Sequence, residues 1–199
     1  MLGTRTNSSL MKSRFLYLIV VTFFAFTVEA QTPRPDFNRA STYDVQHYVL
    51  RVSFDRKKKK VNGDTTVRLK PLKDGLREVV LDSVDISYLS VTLDPGGTAL
   101  KYKTEDEKIV VTLDRSYTAS ETVAIRFQYS ATPKKGIYFI PEKRQPDNTK
   151  VHSSQIWTQG EPDEARHWFP SFDFPSDKAT TEQYITAEKG ETVVGNGDL

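Results

Sequence analysis

The sequence predicts an all-β domain, and three observations carry that reading. Apolar and polar residues alternate in short runs from Tyr43 onward. Each run is bounded by Gly, Pro, Asp or Lys, and no stretch before residue 160 shows a 3.6-residue period. Alternation over about four to eight residues at regular spacing marks antiparallel strands with one buried face. The architecture predicted is a sandwich, or a large curved sheet over a smaller one.

Taken in chain order, the first element is an export signal. Phe15 to Phe26 reads FLYLIVVTFFAF, free of charge, with Lys12 and Arg14 before it and Val28-Glu29-Ala30 after it. Basic, apolar and small-residue segments in that order predict a signal peptide over 1–30, cleaved after Ala30. The run is short for a bilayer crossing, and an uncleaved anchor is the rival reading. The protein is expected to be exported, secreted or periplasmic. Residues 31–40, beginning Gln31-Thr32-Pro33-Arg34-Pro35-Asp36, read as a linker.

The domain proper is predicted over 41–199. Tyr48, Leu50, Val52 and Phe54 form the inward set of a first strand, and Thr65, Val67 and Leu69 belong to a second. The run Lys57 to Lys60 between them reads as a solvated hairpin turn that also discourages edge pairing. Asp74-Gly75 and Pro95-Gly96-Gly97 are further turns. Leu89, Val91 and Leu93 continue the pattern, then Ile109, Val111 and Leu113, then Val123, Ile125, Phe127 and Tyr129. No internal repeat appears.

Composition excludes several functions. With 28 Lys and Arg against 26 Asp and Glu, the formal charge is +2. The signal holds Arg5, Lys12 and Arg14 against Glu29, so the remainder is neutral and nucleic acid is an unsuited partner. There are no cysteines, hence neither disulfides nor thiolate metal sites. His47, His152 and His167 stand far apart, so no His-Glu-x-x-His zinc helix exists here, and P-loop and Gly-x-Ser-x-Gly motifs are missing too. His47 reads as a sheet-surface residue.

After Gln155 the alternation stops. Thr158 to Pro175, TQGEPDEARHWFPSFDFP, packs carboxylates, an arginine, prolines and large aromatics into one segment. Such a loop reads as a rigid polar corner. Asp163, Glu164, Arg166 and Asp173 are expected to be structural, with Arg166 pairing Asp173 or Glu164 and the aromatics filling core.

This segment resembles the zinc aminopeptidases of the aminopeptidase N family, through Thr158, Gln159, Glu161, Ala165, Arg166, Phe169, Pro170, Asp173 and Pro175. Weaker likenesses are Tyr43 to Tyr48, Gly136-Ile137-Tyr138, Lys178-Ala179-Thr180 followed by a strand, and Val194 to Gly197. The resemblance implies a saddle-shaped N-terminal β-domain set against a downstream thermolysin-like domain. It implies that Glu161 binds the free α-amine of a peptide substrate and that Gln159 lines the pocket for the first side chain. A desolvated carboxylate suits a compact cation, and the backbone in a peptide interior offers none. Gly160 is smaller than the residue many relatives place there, which alters the pocket wall. The resemblance also implies zinc in the full-length parent, bound by residues beyond this chain, with no catalytic or metal-binding residue here and no activity from this stretch alone. A domain truncated near its C-terminal strands is expected to leave an unpaired edge near residues 185–199. An exposed apolar patch near Trp157 and Trp168 would fit a missing partner domain. A cis Glu161–Pro162 bond is expected, since X-Pro bonds pay little for it. The alternative reading is a non-enzymatic secreted β-sandwich that binds protein or carbohydrate.

Overall fold

The computed structural model describes residues 41–198. The predicted signal, 1–30, and the linker, 31–40, lie outside the described residues. Within them the fold is built from strands, as the alternation predicts, with one short 3₁₀ turn at Ala165–His167.

The larger sheet has five strands. β1 (Tyr43–Asp55) and β2 (Lys60–Pro71) form a hairpin whose turn contains Lys57 to Lys59, as expected. β4 (Ile86–Leu93) and β7 (Val123–Ala131) extend it, and β12 (Thr180–Thr186) lies outside β1. The order is β12-β1-β2-β7-β4. A second sheet, ordered β3-β6-β5, comprises β3 (Leu76–Asp82), β5 (Lys101–Glu105) and β6 (Lys108–Tyr117). Two ribbons complete the domain: β8 (Ile137–Ile140) with β11 (Gln155–Thr158), and β9 (Lys143–Arg144) with β10 (Lys150–His152).

The main core lies between the two sheets. Leu50, Val67, Leu69, Ile125 and Phe127 of the larger sheet share one cluster with Val79, Leu81, Ile109 and Val111 of the smaller. A second cluster of Val52, Val61 and Ile137, with Phe54, Phe139, Ile156 and Ile185 against it, sits under the β8–β11 ribbon. Trp168 packs against both clusters.

Two features differ from the simple alternation. Tyr88 pairs Tyr129 and Ser90 pairs Gln128, so Leu89 is an extra residue in a β-bulge. The bulge turns Leu89 outward, 79 % exposed, and lets Tyr88 and Val91 face inward. The second is direction: β12 runs parallel to β1, from His47–Thr180 to Ser53–Thr186. Alternation reports burial of a face, not strand direction, and a parallel neighbour requires a long connection. β12 forms the edge of its sheet, mostly ahead of the 185–199 stretch where an unpaired edge was expected, and 187–198 add no strand.

Candidate functional site

The segment from Gln159 to Ala179 connects the β8–β11 ribbon to β12 and is held at several points. The backbone N–H of Gln159 donates to Gly136 O at 3.0 Å, which carries the ribbon ladder one step past Thr158–Ile137. The chain then turns, with Glu164 N–H donating to Gly160 O at 2.9 Å. The Glu161–Pro162 bond within this turn is cis, as expected.

Glu164 fastens the turn to the ribbon. Its Oε2 accepts the Gly136 N–H at 3.1 Å and the Tyr138 hydroxyl at 3.0 Å. Gly136 has φ +76°, and a Cβ there would meet Glu164 O at 2.1 Å. Both the backbone angle and the close approach require glycine.

Arg166 is the next fixed point. Its backbone N–H and its Nε both donate to Asp173 Oδ2, at 3.1 and 3.0 Å, and Nη2 donates to Asp173 O at 3.0 Å. Asp163 Oδ2 lies 3.5 Å from Nη2, and Asp82 Oδ1 lies 4.0 Å from Nη1. Burial works against the Arg166 charge, but Asp173, Asp82 and Asp163 outweigh it and hold the guanidinium above its ordinary pKa. Of the two partners foreseen for Arg166, Asp173 is the one it takes.

Asp82, at the end of β3 and only 1 % exposed, joins this loop to the small sheet. Its Oδ2 accepts the Asp173 N–H at 2.9 Å, and its backbone pairs with Ser171 in both directions. The Tyr48 hydroxyl accepts the Phe172 N–H at 2.9 Å, and burial pushes that phenol well above its ordinary pKa. Phe169 and Phe172 enter the main core, Phe169 edge-on to Tyr48. Neither Asp82 nor Tyr48 could be picked out from the sequence. Their partners lie 91 and 124 residues away, and neither carries a local motif.

The segment shapes an open depression of about 390 Å³, walled by Tyr48, Phe169, Phe172, Phe174 and Pro175, with Glu161 among its lining residues. Glu161 is exposed. Of the four carboxylates between Thr158 and Pro175, three are engaged: Asp163 and Asp173 by Arg166, and Glu164 by Gly136 and Tyr138. Glu161 has no hydrogen bond or ion pair among the described residues. Gln159 is exposed too, and is fixed through its backbone only. It extends the β8–β11 ribbon, two residues before Glu161, and is not among the residues that line the depression. A Cβ at Gly160 would meet nothing within 4 Å, so the wall there is open. Trp157 is 45 % exposed, while Trp168 is half-buried between the two clusters.

Among the described residues no group of three His, Cys, Asp or Glu side chains could hold a metal ion. His47 lies on the sheet surface, its Nδ1 2.7 Å from Thr180 Oγ1.

Comparison with known proteins bears on the family and the fold. Residues 44–199 match the Peptidase M1 N-terminal domain. Over 131 residues, 65 % of the chain, the sequence is 34 % identical to a probable aminopeptidase 1 of Sulfurisphaera tokodaii, covering 15 % of that protein. A shorter stretch of 77 residues is 34 % identical to transcription initiation factor TFIID subunit 2 of Drosophila melanogaster, 38 % of this chain and 6 % of that one. The fold is similar to an M1 zinc metallopeptidase from Deinococcus radiodurans, with TM-score 0.59, 26 % identity, and coverage of 72 % of this chain and 32 % of that chain. A mutant of that enzyme has been solved bound to a Tyr-Ser-Ala substrate. Leukotriene A4 hydrolase from Saccharomyces cerevisiae shares the fold, with TM-score 0.62, 24 % identity, and coverage of 78 % and 26 %. The chain thus spans a third or less of the length of each of these relatives.

Proposed function

The chain belongs to the M1 peptidase family, of which it carries the N-terminal domain, and from that membership we propose that it serves a zinc aminopeptidase by receiving the free amine of a peptide substrate at Glu161. The observation that carries this reading is the division of labour among the loop carboxylates. Asp163, Glu164 and Asp173 are spent on the scaffold, whereas Glu161 stands unpaired at the edge of a depression walled by aromatic rings. An ammonium group brought beside it gains a charge-assisted hydrogen bond, which strengthens once a covering surface removes water. Along the peptide backbone only the N-terminus supplies that ammonium, so a carboxylate placed one residue from the scissile bond selects exopeptidase over endopeptidase cleavage. Gln159 lines the approach from the ribbon side and contacts the first side chain. The hydrolytic centre and its zinc belong to the thermolysin-like part of the protein, outside this chain, and residues 41–199 alone are expected to be inactive.

The substrate class follows the D. radiodurans neighbour, which takes a tripeptide. The test is Glu161→Gln in the full-length protein, assayed on aminoacyl anilides. Loss of a desolvated charge partner costs about 2–5 kcal/mol in kcat/KM. Activity equal to wild type would refute the assignment.

Export is part of the same proposal. The basic, apolar and small-residue order of 1–30 supports export of the enzyme, to a secreted or periplasmic location. N-terminal sequencing of the mature protein is expected to begin near Gln31, and a mature chain that retains Lys12 would refute cleavage. A second reading, a non-enzymatic binding module, has the likeness to TFIID subunit 2 in its favour. Reading the coding sequence past Leu199 separates the two: a His-Glu-x-x-His helix supports the enzyme, and a stop codon supports the module.

A further inference from the structure

Strict alternation gives the β8–β11 ribbon two unlike faces. Ile137, Phe139 and Ile156 point inward, into the second core cluster. Tyr138 and Trp157, which are cross-strand partners, therefore point outward. Their rings stack in parallel, with centroids 4.5 Å apart and planes 20° from parallel. The Tyr138 hydroxyl donates to Glu164 Oε2, so the platform is anchored to the same turn that carries Glu161. Trp157 nonetheless stays 45 % exposed. The ladder continues through Gln159 N–H to Gly136 O, which keeps Gln159 in extended register two residues beyond Trp157 and on the same outward face. Two extended residues separate their Cα atoms by about 7 Å.

We infer that Trp157, backed by Tyr138, is the far wall of the subsite that receives the first side chain of the peptide, and that it selects substrates beginning with a large aromatic residue. The inference rests on the reading that Gln159 and Glu161 take the N-terminal end of the substrate. With the amine at Glu161 and Gln159 beside the first side chain, a small side chain ends short of the indole. A phenyl or phenol ring spans the gap and stacks on it. Offset or edge contacts between aromatic rings add attraction beyond the area they bury. A rigid, prestacked ring loses little entropy when it does so.

The test uses the full-length enzyme and two substrates, the 4-nitroanilides of phenylalanine and alanine. For Trp157→Ala the ratio of kcat/KM for Phe over Ala is expected to fall about tenfold. Trp157→Phe, which keeps a ring, is expected to hold the ratio within about threefold of wild type. An equal loss on both substrates would overturn the inference and make Trp157 a docking residue for the rest of the protein. So would an unaltered ratio in Trp157→Ala. Glu161→Gln is run in parallel and is expected to lower both substrates together. If it lowers neither, the amine assignment fails on its own evidence, whatever Trp157 does to the ratio.

Discussion

At the scale of single residues, the loop separates positions that hold it from positions that are held out. Gly136 belongs to the first kind. Its φ of +76° and the 2.1 Å approach of Glu164 O leave no room for a methyl group. Gly136→Ala is expected to destabilise the domain by about 2–4 kcal/mol, read from the urea midpoint, because strain and steric overlap act together. A midpoint within error of wild type would mean that the turn relaxes around the new Cβ. The Arg166–Asp173 contact was legible in the sequence because the two residues lie seven apart within one segment. Asp82 was not, since a carboxylate at a strand end 91 residues upstream announces nothing about its partner.

At the scale of elements, alternation located β1, β2, β4, β6 and β7, whose apolar faces meet the core. It passed over β5, every residue of which is exposed, and β3, whose pairing shifts between Leu76 and Glu78. Leu89 shows why a face can be misread inside a strand correctly found. The bulge converts an apparent core position into a surface one, so Leu89→Lys is expected to change stability by less than about 0.5 kcal/mol. Ile125→Ala, four strand positions from the bulge partner Tyr129 and fully buried, is expected to cost about 2–5 kcal/mol. Urea unfolding of both variants checks the contrast. The β6–β7 connection supplies a pH dependence. Arg115, then the Thr118 N–H, draw the Glu121 carboxyl down to about 2. A carboxyl depressed on folding stabilises the fold above its unfolded pKa of about 4.3. That contribution is lost as pH falls from there toward 2. Melting temperatures across this window are expected to fall less steeply in Glu121→Gln than in wild type, and parallel curves would refute the linkage.

At the scale of the whole molecule, two sheets share one core and Trp168 joins that core to the second cluster. Indole fluorescence and far-UV circular dichroism are therefore expected to report a single coincident unfolding transition, whereas separated midpoints would show that the ribbon melts independently. The parallel seating of β12 beside β1 has a mechanical consequence. Tension applied from residue 41 at one end and residue 198 at the other draws these neighbours along their length in opposite senses. The ladder from His47–Thr180 to Ser53–Thr186 then bears load in shear, with its hydrogen bonds stressed together instead of parting one after another. Between those two anchored strands the Glu161 loop is shielded from strain that reaches the domain through its ends.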